Sequence, residues 1–72
     1  MKKTYKLQDL DCANCAAKME EAIGRLDSVT SARVNFMTQK LTIEAEPGDL
    51  DSVLDEAQRI CSGIEPDCVI VR

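Results

Sequence analysis

The apolar residues of this chain change spacing along its length, from every second residue to every third or fourth and back. That succession of periods limits the folds open to it. Tyr5 and Leu7 alternate with Lys6 and Gln8, which marks residues 3–9 as a half-buried strand. Leu10 breaks the alternation and is expected to turn inward and anchor the loop that follows. From Cys15 the spacing is helical: Cys15, Met19, Ala22, Ile23 and Leu26 form one stripe, with Lys18, Glu20, Glu21 and Arg25 off it. Ala32, Val34 and Phe36 alternate with Arg33 and Asn35, and Leu41, Ile43 and Ala45 alternate with Thr42 and Glu44. Only Met37-Thr38-Gln39 separates these two strands, so they make a hairpin. Pro47-Gly48-Asp49 interrupts the pattern, with Asp49 expected as a helix N-cap. Leu50, Val53, Leu54, Ala57, Ile60 and Cys61 form a second helical stripe, which Gly63 is placed to end. Pro66 forbids continuation, and Cys68 to Val71 is a last apolar strand.

Strand, helix, strand, strand, helix, strand is two βαβ halves in tandem. Right-handed crossovers fold that order into an α+β sandwich of the ferredoxin-like βαββαβ type. Its four-stranded antiparallel sheet carries both helices on one face, in a single domain spanning residues 1–72. Following the strand directions, three segments emerge at one end: the loop after the first strand, the hairpin turn near 37–40, and the loop after the second helix. Ile64-Glu65-Pro66-Asp67 is therefore expected to approach residues 10–15 in space.

At that end stands Leu10-Asp11-Cys12-Ala13-Asn14-Cys15. CxxC spacing lets both sulfurs converge on one soft or borderline metal ion, or join in a tight disulfide. At a helix start, unpaired N–H groups and the helix dipole favour the thiolate, which is both metal ligand and nucleophile. The helical stripe puts Cys15 on the half-buried side of the first turn and leaves Cys12 more exposed. The chain has no histidine, so a metal site must use thiolate, carboxylate or backbone oxygen. A thiol–disulfide module is the competing reading. A thioredoxin-like domain, however, orders its elements differently and ends in a helix, whereas this chain ends in a strand.

Composition narrows the function classes. A net charge of −4, with Tyr5 and Phe36 the only aromatic residues, offers nucleic acid neither phosphate neutralisation nor a stacking platform. Lys2 and Lys3 lead into a mixed polar stretch with no signal-peptide core. No apolar run approaches the roughly 20 residues that span a bilayer. The expectation is a soluble, monomeric, cytoplasmic domain that does not itself insert into the membrane, although it could be one end of a membrane protein. Four cysteines without an export signal then point to a metal or redox site rather than a disulfide framework. There is no phosphate-cradling glycine loop and no nucleophile–base pair, so no enzymatic activity is expected of this segment.

With its CxxC closing the first strand, the chain resembles the heavy-metal-associated domain, found in metallochaperones and at the N-termini of metal-transporting P-type ATPases. The resemblance covers essentially the whole chain. The copper branch usually carries Met-Thr ahead of its CxxC; here Leu10 and Asp11 stand in those positions. Asp11-Cys12-x-x-Cys15, the run Val34 to Leu41 and Ile64-Glu65-Pro66-Asp67 resemble the zinc, cadmium and lead branch. The departure is Cys61 and Cys68, where aliphatic residues are ordinary.

The resemblance implies a domain that holds one divalent heavy-metal ion, Zn2+ or Cd2+ with Pb2+ behind them and Cu+ least favoured. Cys12 and Cys15 are the expected ligands, Asp11 the expected third and Glu65 a further candidate. Asp11 has a plainer alternative as a loop acid or helix cap. A divalent borderline ion accepts oxygen beside sulfur, whereas Cu+ is satisfied by two thiolates. Cys61 and Cys68 read as core, since a buried cysteine behaves as a small hydrophobe, with an auxiliary site as the alternative. Met37 reads as an exposed turn residue. The partners implied are other domains of a parent transporter or a thiol-bearing metal donor or acceptor. A free-standing metallochaperone is the alternative.

Overall fold

The computed structural model describes all 72 residues, and the elements fall in the expected order. They are β1 (Lys2–Gln8), α1 (Ala13–Gly24), β2 (Val29–Asn35), β3 (Lys40–Ala45), a 3-10 turn at Pro47–Asp49, α2 (Leu50–Ile64) and β4 (Val69–Val71). All pairings are antiparallel, in the order β2-β3-β1-β4. This is the ferredoxin-like sandwich that the periods imply.

Strand alternation sends Leu7, Leu41, Ile43, Ala45 and Ile70 to the inner face. They meet Met19 and Ile23 of α1, and Val53, Leu54, Ala57 and Cys61 of α2. No polar or charged side chain is buried with them. Burial at ~25 cal/mol per Å2 of apolar surface therefore holds the sandwich together by itself. The fold is expected to form with or without a metal ion.

Several local readings are corrected. β2 starts at Val29, because a bulge between Val29 and Ser31 shifts the register and hides the strand's start from a simple alternation. Asp49 does hold the N-cap position of α2, but without a side-chain cap hydrogen bond; it ends the 3-10 turn with its N–H on Glu46 C=O at 2.9 Å. Gly63 does not end α2, and no glycine has a positive φ. The helix runs through Ile64 and stops where Pro66 forces the preceding Glu65 into extended backbone, φ −131°.

Both sheet edges are tied down by helix side chains. Glu20 of α1 accepts the Val34 N–H of edge strand β2 at 2.9 Å. Gln58 of α2 accepts the Ile70 N–H at 2.8 Å and donates to Cys68 C=O at 3.0 Å, closing the β4 edge. Pairing these groups blunts the edges against other chains. Gln58→Met keeps the volume but strands both β4 groups, so stability should fall by about 1–3 kcal/mol. Thermal unfolding would register that as a drop of several degrees in Tm. An unchanged Tm would mean that water replaces the carboxamide at no cost.

Candidate metal centre

The loop between β1 and α1 is built before any ligand is counted. Asp9 adopts a left-handed conformation, φ 60°, which takes the chain off the line of β1. Leu10 then drives inward to 1 % exposure. The hairpin turn grips it: the Gln39 carboxamide accepts the Leu10 N–H at 3.3 Å and donates back to Leu10 C=O. Gln39 C=O also takes the Leu7 N–H at 2.8 Å. Sequence reasoning missed Gln39. Its left-handed φ of 56°, usually a glycine or asparagine position, leaves no mark when the residue is glutamine.

Cys12 is the N-cap of α1, extended at φ −125°, and its sulfur accepts the Cys15 N–H at 3.3 Å. Cys12 is half-buried, as Cys15 is, so the expected contrast in exposure is absent. The contrast lies in ionisation. Hydrogen bonds from Cys15 hold the Cys12 thiol below its usual pKa, against desolvation and the charge of Glu65. Cys15 is pushed up to about 11, first because its S–H donates to Cys12, then by desolvation and by the charges of Cys12 and Glu65. Cys12 is therefore the more readily ionised sulfur of the pair, and Cys15 its protonated neighbour. A cation held by both sulfurs would have to displace the proton of Cys15.

Glu65 reaches this pair from fifty residues away in sequence. Its N–H bonds Cys61 C=O at 2.7 Å and its C=O accepts the Cys68 N–H at 3.0 Å, so the backbone is tied on both sides. A Glu65 carboxylate oxygen and the sulfurs of Cys12 and Cys15 all lie within 4.8 Å of one another, with all three residues half-buried. Asp11 is exposed and stands outside that group. Met37 is 87 % exposed on the hairpin turn. Cys61 and Cys68 are fully buried in the core, and burial is the main cause raising both thiols, Cys61 to about 12. At neutral pH they are neutral core groups.

A profile of the heavy-metal-associated domain matches residues 4–60. The chain belongs to that family. As a heavy-metal-associated domain it is a binding module without a catalytic site of its own. It is 29% identical over 70 residues to the cadmium, zinc and cobalt-transporting ATPase of Bacillus subtilis, a match covering 97% of this chain and 10% of the ATPase. It is 27% identical over 64 residues to the copper chaperone CopZ of Enterococcus hirae, covering 89% of this chain and 86% of the chaperone. Among solved structures, a CopZ metallochaperone superposes with a TM-score of 0.71 at 19% identity, covering 99% of this chain and 100% of the other. That likeness shows the fold. The chain spans a tenth or less of the length of the transporting ATPases that it matches first. No helix in it is long and apolar enough to cross a membrane.

Proposed function

We propose that this domain carries a soft divalent cation, Zn(II) or Cd(II) with Pb(II) as a further candidate, and exchanges it with a thiol-bearing partner. The partner would be another domain of a heavy-metal-exporting P-type ATPase, of which this segment would be the cytoplasmic N-terminal part. The observation that carries the reading is the grouping of two sulfurs and one carboxylate at an open end of a preformed fold. Cys12 and Cys15 supply two thiolates and Glu65 a hard oxygen; Asp11, beside Cys12, is the carboxylate that would serve as an alternative third donor. Two thiolates and one carboxylate leave a divalent ion with one surplus negative charge and Cu(I) with two. The donor set therefore favours a borderline divalent ion in charge as well as in hardness. A closed structural zinc site would have four protein ligands. Three at a loop leave a position through which an acceptor sulfur can enter before the donor sulfurs leave.

Competition titrations separate the two carboxylates. Glu65→Gln and Asp11→Asn each keep size and remove charge. The variant that loses the third ligand should bind Cd(II) about tenfold more weakly or worse, while Cu(I) affinity holds or rises. If neither variant changes the ratio of Cd(II) to Cu(I) affinity, the selectivity argument is wrong. Exchange has its own test. Transfer of Cd(II) to a dithiol acceptor in stopped flow should quicken in proportion to acceptor concentration. A rate independent of acceptor would mean that the ion leaves first, and would sink the exchange mechanism. A free-standing chaperone remains the second reading, favoured by the near full-length match to the copper chaperone CopZ.

A further inference from the structure

The outer face of the sheet carries charge of the opposite sign to the rest of the molecule. Strand register places Lys2, Thr4, Lys6 and Gln8 of β1 there, beside Lys40, Thr42 and Glu44 of β3. Ser31, Arg33 and Asn35 of β2 lie on one flank, and Val69 and Val71 of β4 on the other. Two contacts fix that orientation: Thr4 and Thr42 hydroxyls meet at 3.1 Å, and Ser31 donates to Glu44 at 3.4 Å. The face thus holds four cations, Lys2, Lys6, Arg33 and Lys40, against the single carboxylate of Glu44. The remaining five cations share the rest of the surface with twelve carboxylates.

None of the four cations is spent on an ion pair; the two salt bridges of the chain, Arg25–Glu21 and Arg72–Asp55, lie elsewhere. Lys6 and Lys40 are direct cross-strand partners. Like charges so placed destabilise a sheet unless something negative lies over them. Val71, opposite Lys6, and Val69 are 38% and 45% exposed, which adds an apolar fringe to the basic patch. Both cavities of the molecule are lined by residues of the helices and adjoining loops, and neither opens on this face.

We propose that the outer sheet face docks on an anionic lipid surface. A broad array of unpaired cations without a cavity, with small exposed aliphatics beside it, suits a layer of headgroups better than it suits a partner that inserts a side chain. The net charge of −4 is not an obstacle. The shortest extent of the molecule is 18 Å, and at physiological salt interactions between exposed charges are screened beyond ~8 Å. A bilayer under the sheet therefore meets the cations, while the acidic helices point away. Each basic group near an anionic leaflet contributes modestly, so adhesion by four is weak for a free chain. Tethering beside a bilayer, as the transporter reading has it, would raise the local concentration to the millimolar range where weak adhesion suffices. The orientation would lay the sheet on the lipid and leave the CxxC loop at its rim, open to a partner.

Cosedimentation of the intact 72-residue chain with phosphatidylcholine vesicles, with and without about one-third phosphatidylserine, tests this at near-physiological salt. Binding should require phosphatidylserine. Lys6→Glu with Lys40→Glu should weaken it at least about tenfold. Lys18→Glu with Arg59→Glu, both exposed positions on the helices, reaches the same net charge and should leave binding within about twofold. Unfolding curves on both double variants confirm that each is folded. Equal losses in the two would show that net charge, not this face, governs adhesion and would overturn the proposal. Absence of wild-type binding to the anionic vesicles would overturn it too, and would leave an acidic protein as the occupant of the face. Neither outcome bears on metal exchange, which the titrations above test separately.

Discussion

Cys12→Ser with Cys15→Ser should abolish stoichiometric Cd(II) binding, a loss of at least about a thousandfold, while leaving the domain folded. The first half follows from the donor set: without the two sulfurs, Glu65 and Asp11 offer only oxygen to a soft ion. The second follows from the core: Cys12 lies outside it, and Cys15, half-buried, only packs against its edge. Serine at position 12 even preserves the local cap, because its hydroxyl can accept the Cys15-position N–H that the sulfur accepts now at 3.3 Å. Ultraviolet sulfur-to-cadmium charge transfer would report the metal, and thermal unfolding the fold. In the wild type, binding should release protons, one of them from Cys15, whose pKa of about 11 keeps it protonated in the metal-free domain at neutral pH. Affinity should accordingly rise with pH by at least tenfold per unit across the neutral range. Tight one-to-one binding by the double serine variant would place the metal elsewhere. A chelator that unfolds the wild type would make the site structural and contradict the exchange reading.

The sandwich was legible because both helices and the inner strand faces announce themselves through apolar spacing, and nothing polar is buried to confuse it. What spacing could not show is where polar groups act over distance. Gln39, Gln58 and Glu20 each sit at unremarkable polar positions, yet their carboxamide or carboxylate groups hold the metal loop and both sheet edges. Their partners lie 29, 12 and 14 residues away in sequence, beyond any local pattern. Glu65 was foreseeable from topology alone, since the strand directions bring its loop to the CxxC end. Its backbone conformation follows from one neighbour, Pro66. Asp11 is expected at the site from its charge, the hardness of its oxygen and the resemblance of Asp11-Cys12-x-x-Cys15 to the zinc, cadmium and lead branch. Its side chain is exposed beside Cys12, and whether it or Glu65 is the third ligand is what the paired carboxylate titrations decide. The balance of ionisation between Cys12 and Cys15 was equally out of reach, because it depends on which sulfur donates and which accepts.

The buried cysteines should make the fold sensitive to alkali. Cys61 has its thiol raised from 9.0 to about 12, first by burial and then by the neighbouring Cys68. A folded-state pKa above the unfolded one means that the neutral thiol is favoured by folding. Its contribution is complete below pH 9.0 and is lost progressively as pH rises toward about 12. Three pK units correspond to an upper bound of about 4 kcal/mol, of which only a part is realised. Cys68 is raised as well, so the two losses have the same sign. The comparison is made between variants, so that alkaline effects common to both proteins cancel. Cys61→Ala removes the titrating thiol at the cost of a small cavity, so it should be less stable than wild type at pH 7. The gap should narrow, or reverse, as pH climbs from 9 to 11, because only the wild type has a thiol at 61 left to ionise. Urea unfolding across that range measures it directly. Parallel stability curves for the two proteins would mean that Cys61 ionises as freely in the folded chain as in the unfolded one, and that helix α2 does not shield it from water.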